Sequence, residues 1–319
     1  MILNIFLLLV GFVVLIYGAD KLVEAASSLA ARLGVPSIVI GLTIVAFGTS
    51  APELVVNVFA SLENKTELVL GNVLGSNIFN VLGILGVCSL IYPLTVKSNT
   101  TWLEIPLSLL AAVAVLTISS DVLLDGATVN SVSRVEGLIL LLFFFIFLVY
   151  NLMVARRGAG EEVIETKGYS YLKSALFILV GLVGLVLGGR LIVTSAVSIA
   201  QTLGMSERII GLTIVSVGTS LPELATSLAA VRKRNVDIAI GNVVGSNIFN
   251  IFLILGISSV TRPLQVQQAA FTDIAVNIAA GLLLFIFVFT GKGRQIVRWE
   301  GVVLLAVYAG YLFMLVSNE

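Results

Sequence analysis

Histidine is missing from this sequence altogether, which argues against imidazole-ligated zinc or copper and against a histidine proton relay. A single cysteine, Cys88, excludes an intrachain disulfide framework. Charge is scarce: Asp, Glu, Lys and Arg make up 11% of 319 residues and cancel to a formal net charge of zero, whereas soluble domains carry about 25%. Also missing are a phosphate-binding glycine loop, a nucleophile–base triad and a metalloprotease helix. No enzyme, no cofactor, no nucleic-acid partner and no obligatory protein partner is therefore expected. Hydrocarbon is what abounds. Hydrophobic residues make up 58% of the chain, mean hydropathy is +1.11, and apolar runs of roughly 20 residues recur, as bilayer-spanning helices require. The opening run has no basic segment and no small-residue cleavage site, and reads as a first span.

Ten spans are expected, at about 3–26, 36–61, 68–91, 102–119, 135–154, 172–203, 209–231, 238–260, 274–289 and 297–316. A polar segment around 156–173 divides the chain into a first repeat, 1–156, a linker, 157–171, and a second repeat, 172–319. The stretch 41–94 returns at 211–264 with a constant offset of 170 residues, no gap and about half the positions identical. Five spans per half is an odd number, so the second half enters the membrane from the opposite face. The expected fold is an all-α polytopic membrane protein of ten transmembrane helices in two inverted five-helix repeats, with broken helices two, three, seven and eight forming the core. Placing the N-terminus outside leaves Lys21, Arg32, Lys97, Arg156, Arg157, Lys167, Lys173, Arg232, Lys233, Arg234, Lys292, Arg294 and Arg298 on inner loops. The outer loops then hold only Lys65, Arg134, Arg208 and Arg262. The positive-inside rule therefore predicts a plasma-membrane protein with both termini extracellular and the central loop cytoplasmic. Arg190, inside span six, is expected to snorkel to an interface.

Each repeat carries a carboxylate where the composition is hydrocarbon. Gly48-Thr49-Ser50-Ala51-Pro52-Glu53 recurs as Gly218-Thr219-Ser220-Leu221-Pro222-Glu223. Proline removes a backbone donor, so spans two and seven should break there, with Thr49 or Ser50 capping the second half-helix and carbonyls freed near Ala46 and Phe47. Irregular backbone at this depth is tolerated where it lines a cavity or is buried in protein. A second motif supplies Ser76, Asn77 and Asn80, repeated as Ser246, Asn247 and Asn250. Asn77 and Asn247 read equally as ligands or as interhelical glue. Gly71, Gly75, Gly241 and Gly245 form a small-residue stripe suited to close helix packing, and acids near span ends (Asp20, Glu24, Glu63, Glu67, Asp121, Asp125 and Asp237) read as solvated. The inventory of carboxylate, hydroxyl, amide and carbonyl oxygens suits Ca²⁺ and also Na⁺. Two buried carboxylates cost roughly 2.5–3.5 kcal/mol each on insertion scales, and one divalent or two monovalent ions neutralise both. A cation channel is the less favoured reading, because channels usually surround one pore with a symmetric assembly.

The duplicated Gly-Thr-Ser-x-Pro-Glu with Gly-Asn-x-x-Gly-Ser-Asn resembles the two alpha repeats of the calcium/cation antiporter superfamily, and most closely the prokaryotic sodium/calcium exchangers. The resemblance implies four cation sites in a diamond at the midplane. By that likeness Glu53 and Glu223 bind Ca²⁺ and Na⁺ with Thr49 and Thr219. Ser50, Ser220, Ser76, Ser246 and the backbone at Ala46 and Ser216 complete the sodium sites, and Asn80 and Asn250 line the centre. It further implies electrogenic antiport of three Na⁺ for one Ca²⁺, with spans one and six sliding across the other eight. Some relatives, including potassium-dependent ones, carry an acid where this chain has Asn80 or Asn250, which argues against potassium co-transport. Proton-coupled exchangers typically add acids or a histidine, so sodium is favoured over protons as the coupling ion, with H⁺/Ca²⁺ exchange the alternative. The loop between repeats is too short for calcium-sensing domains.

Overall fold

A computed structural model of the chain describes residues 2–156, 167–203, 216–290 and 293–317. Within these residues the protein is a bundle of long apolar helices. They are α1 (Ile2–Leu33), α2 (Ser37–Thr49), α3 (Ala51–Leu62), α4 (Thr66–Ile91), α5 (Thr100–Ile118), α6 (Asp121–Leu124), α7 (Arg134–Arg156), α8 (Tyr171–Thr202), α9 (Ser216–Thr219), α10 (Leu221–Arg232), α11 (Val236–Thr261), α12 (Gln268–Thr290) and α13 (Arg298–Ser317). Eight of the described helices are long and apolar enough to cross a bilayer, and α2 with α3 adds a ninth span bent by 47°. The start of the expected seventh span, most of the 157–171 linker, Arg208 and Lys292 lie outside the described residues, as does the side chain of Ser216. The chain is a multi-pass membrane protein.

Local sequence sets the ends of the elements. Pro36 precedes α2, and extended residues at Tyr92 and Arg262, each followed by a proline, stop α4 and α11. Asn64 and Arg234, at the same repeat position, adopt left-handed φ of 63° and 57° and close the turns into α4 and α11. Ser133 and Glu136 form a capping box at the start of α7: the Glu136 carboxylate accepts the Ser133 N–H at 2.6 Å, and Ser133 Oγ accepts the Glu136 N–H at 3.3 Å. Glu300 holds the Val297 N–H at 2.7 Å in the same way at α13.

One expectation is corrected. Helices three and eight, α4 and α11, are not broken. Each runs on through a π-helical segment, Phe79–Leu85 and Phe249–Leu255, which begins just before Asn80 or Asn250. A π segment inserts an extra residue per turn without interrupting the ladder, so it turns side chains to a new face while the helix continues. The breaks expected at Ser50 and Ser220 are present.

The two halves interlock. Short strand β1 (Leu94–Thr95) pairs antiparallel with β4 (Gln295–Ile296), and β2 (Ser131–Val132) pairs with β3 (Leu264–Gln265), so each half lends one strand to each ribbon. Across the halves, Lys97 Nζ lies 2.6 Å from Asp237, and at the equivalent place Gln267 contacts Glu67. Gly241 and Gly245 allow α11 to touch α2: a Cβ on Gly241 would lie 2.9 Å from the Ile38 carbonyl, and one on Gly245 2.9 Å from Leu42 Cα. Gly71, by contrast, has open space around it among the described residues. α1 and α8 pack on each other along their length through Gly11, Gly18, Gly181 and Gly188. Lys233 ties α1 to the turn before α11, reaching Asp20 at 3.1 Å and Glu24 at 3.4 Å. Asp20, Glu24 and Asp237 are thus ion-paired, where the sequence suggested free solvated charges.

Candidate functional site

The four helices α3, α4, α10 and α11 bring the repeated motifs to one buried place. Pro52 and Pro222 occupy the second positions of α3 and α10, where a missing N–H costs nothing, and the preceding Ser50 and Ser220 are the N-cap residues. Neither serine caps its own helix with its side chain. Ser50 Oγ instead reaches across the halves, 2.9 Å from Glu223 Oε1 and 3.0 Å from Ser246 Oγ. Ser220 Oγ lies 3.1 Å from Ser76 Oγ, the same contact with the halves exchanged. Thr49 and Thr219 do likewise, meeting Asn242 Oδ1 at 3.0 Å and Asn72 Oδ1 at 3.3 Å.

The amides form a second exchanged set. Asn80 Nδ2 donates to Asn247 Oδ1 at 3.0 Å, and Asn250 Nδ2 donates to Asn77 Oδ1 at 2.9 Å. Asn77 Nδ2 also donates to the Asn247 carbonyl at 3.2 Å. Among the described residues Asn77 and Asn247 therefore act as glue between α4 and α11, and the bonds they make fix which way Asn80 and Asn250 point. With their nitrogens engaged, those two residues are left with an amide oxygen each.

Five oxygens in this cluster have no hydrogen-bond partner: both carboxylate oxygens of Glu53, Oε2 of Glu223, and Oδ1 of Asn80 and of Asn250. All four residues are about 1% exposed. The two carboxylates are near enough to repel each other, and no ion pair among the described residues includes either. A buried acceptor without a donor costs about 1–3 kcal/mol, more when charged. Five buried acceptors from both halves that receive no hydrogen bond form a candidate cation site. There is no cluster of three or more acidic, histidine or cysteine side chains among the described residues; amides and hydroxyls complete this donor set.

Of the residues singled out from the sequence, Glu53, Glu223, Ser50, Ser220, Ser76, Ser246, Thr49, Thr219, Asn80 and Asn250 all join this connected network or carry its unpartnered oxygens. The backbone expectation needs a correction. The Ala46 carbonyl is not freed, because it accepts the Ser50 N–H at 3.0 Å; the donor missing at Pro52 is the one that would reach Gly48, four residues back. The Thr49 hydroxyl also lies 3.2 Å from the Ala46 carbonyl oxygen, so that oxygen has two donors beside it. In the second repeat the Ser220 N–H reaches the Val217 carbonyl at 3.2 Å.

Sequence reasoning missed the supporting amides. Asn57 Nδ2 holds the Glu53 carbonyl at 2.8 Å, and Asn242 Nδ2 spans the Glu223 carbonyl at 3.2 Å and Ser227 Oγ at 3.0 Å. Asn242 and Asn72 stand in the repeated Gly-Asn pair, which was a signal. Asn57 faces Ser227 across the offset, so the repeat itself gave none.

The chain has known relatives. The family described as sodium/calcium exchanger protein matches residues 3–153 and 173–317. The putative antiporter CaxA of Alkalimonas amylolytica is 39% identical, the match covering 97% of this chain and 98% of that protein. The sodium/calcium exchanger MaX1 of Methanosarcina acetivorans is 36% identical, with 98% of each covered. Among solved structures, the sodium-calcium exchanger NCX_Mj soaked with zero Na⁺ and Ca²⁺ superposes with a TM-score of 0.82 at 33% identity, over 98% of this chain and 99% of that one. A match through both halves and at full length, to transporters and not to enzymes, places the chain in the sodium/calcium exchanger protein family.

Proposed function

We propose that this protein is a secondary antiporter that exchanges Na⁺ for Ca²⁺ by alternating access, three Na⁺ per Ca²⁺ and therefore electrogenically. The observation that carries the reading is the set of five unpartnered oxygens contributed by both halves. Hard oxygen donors suit both ions, and Ca²⁺ takes six to eight of them. Either one divalent ion or several monovalent ions neutralise the two acids, so the loaded forms can reorient while the empty site, doubly charged in a low-dielectric setting, is costly to move. Glu53 and Glu223 with Thr49 and Thr219 bind Ca²⁺ in this reading. Ser50, Ser220, Ser76, Ser246 and the carbonyls of Ala46 and Ser216 serve Na⁺, and Asn80 and Asn250 line the centre. The ions are substrates.

Two inverted five-helix repeats, 1–156 and 172–319, joined by a cytoplasmic linker at 157–171, complete the picture. The exchanged hydrogen bonds and the reciprocal strand pairs support that symmetry, and the Lys and Arg distribution supports extracellular termini in the plasma membrane. Purified protein in Na⁺-loaded vesicles diluted into Na⁺-free medium should take up radioactive Ca²⁺, faster when a K⁺ potential holds the interior positive and slower when it holds the interior negative, because three Na⁺ leaving for each Ca²⁺ entering carries one net positive charge outward. Uptake driven equally by a proton gradient without Na⁺ would overturn sodium coupling. Large conductance without counterflow would overturn the carrier reading.

A further inference from the structure

Two cavities flank the site at equivalent places in the two halves, and they differ in size, reach and charge. The larger, about 350 Å³, lies between α8 and the start of α3 and α10, and its wall includes Pro52, Gly189, Arg190, Thr194, Thr219 and Pro222. It therefore touches a residue of the cation site. The smaller, about 200 Å³, lies between α1 and α10, with Ala19, Asp20, Leu221 and Ala225 where the larger has Gly189, Arg190, Ala51 and Val55. Its wall includes neither Gly48 nor Thr49, so it stops short of the site.

The residue pair at the offset of 170 is the informative one. Asp20 lines the smaller cavity together with Arg232 and is paired with Lys233 at 3.1 Å. Arg190 lines the larger cavity, is exposed, and makes no ion pair or hydrogen bond among the described residues. It is the one charged residue in that wall among the described residues. A compact space of this volume is on the order of the Debye length of about 8–10 Å across, so a fixed charge on its wall is felt at its far end. The usual reading of an arginine within a span is a side chain snorkelling along lipid. Here the guanidinium stands instead on the wall of a cavity that also touches Thr219.

We propose that Arg190 is a specificity-determining residue: a fixed positive charge in the outer passage that raises the energy of a divalent ion twice as much as that of a monovalent one. The proposal rests on the antiport reading and on extracellular termini, which make the larger cavity the outer one. The interaction scales with ionic charge, so the effect on Ca²⁺ is the square of the effect on Na⁺. Outer Ca²⁺ is thereby disfavoured relative to outer Na⁺, which biases the outer face toward loading the coupling ion.

The test uses the full-length protein in right-side-out and everted vesicles, with Arg190→Gln, Arg190→Lys and Arg190→Asp, reading half-saturating Ca²⁺ and Na⁺ at each face. Arg190→Gln should lower the outer half-saturating concentration roughly threefold for Na⁺ and ninefold for Ca²⁺ at low ionic strength, with the difference shrinking as choline chloride screens the charge. Arg190→Asp should go further, Arg190→Lys should match the wild type, and the inner face should not change. Ratios of the two ions are independent of how much protein folds. Equal factors for both ions, an Arg190→Lys variant that behaves like Arg190→Gln, or an effect confined to the inner face would overturn the proposal while wild-type exchange stands. Wild-type vesicles that show no Na⁺-driven Ca²⁺ uptake would overturn the antiport reading itself.

Discussion

Replacing Glu53 by Gln should make the ion-free protein more stable while abolishing its response to Ca²⁺. Both Glu53 carboxylate oxygens are buried without a donor, so the ionised side chain receives no compensation in the absence of a cation. Removing a charge from mid-membrane is worth up to about 2.5–3.5 kcal/mol on insertion scales. Glu223 differs, because its Oε1 accepts from Ser50 at 2.9 Å. A hydrogen bond to a charged group is worth about 1.5–3 kcal/mol against roughly 0.5–1.5 for a neutral one, so Glu223→Gln gives back about 1 kcal/mol of its gain. The expected order of ion-free stability is Glu53→Gln, then Glu223→Gln, then wild type. Ca²⁺ reverses it: at a thousand times its dissociation constant the ion stabilises wild type by about 4.1 kcal/mol and both variants by nothing measurable at that concentration. The assay is thermal unfolding in detergent, followed by Trp102 and Trp299 fluorescence, in chelator and then in Ca²⁺. Asn57 holds the Glu53 carbonyl in every form, which keeps the backbone in place. A Glu53→Gln protein that melts below wild type in chelator, or that keeps the wild-type Ca²⁺ shift, would refute the reasoning.

Two further outcomes follow from the same geometry. Asn247→Ala removes the acceptor that orients Asn80, leaves Nδ2 buried and unpaired at a cost of about 1–3 kcal/mol, and frees the amide to turn its nitrogen toward the ions; half-saturating Ca²⁺ in vesicle uptake should rise about tenfold, and Asn77→Ala should match it from the other half. Gly188→Ala places a Cβ 2.6 Å from the Leu15 nitrogen and 2.9 Å from the Gly11 carbonyl, so α1 must move off α8 and melting should show a loss of about 1–3 kcal/mol, whereas Gly310→Ala, with open space around it, should cost nothing.

The spans were legible because an apolar run long enough to cross a bilayer has few alternatives, and the two acids were legible because the chain repeats them in hydrocarbon. The helix breaks followed from Pro52 and Pro222. What stayed hidden depended on partners distant in sequence or on phase. Composition does not mark a π segment, so the turn of α4 and α11 just before Asn80 and Asn250 had no signal. Glu104 is buried inside a span, and its partner Tyr150 is 46 residues away. Asp273 meets Tyr311, 38 residues on, at the corresponding helix pair of the other half. Motif reading also placed Ser50 as a helix cap, a local role. The folded chain spends that hydroxyl on Glu223, a choice visible only once the halves meet.

The hydrogen bonds that exchange between halves bear on how such a protein could alternate. Ser50 with Ser246 mirrors Ser220 with Ser76, and Asn80 with Asn247 mirrors Asn250 with Asn77. A site built this way presents nearly the same donors whichever half it is viewed from, so under alternating access the two facing states differ little in energy at the ions themselves. The bias between them must then come from positions that break the offset. Asp20 against Arg190 lies at the cavity walls, Asn57 against Ser227 beneath the acids, and Lys97 against Gln267 at the helix ends. On the antiport reading proposed above, duplication would supply a site able to face either way, and the residues that differ between the repeats would decide which way it faces and which ion it meets there.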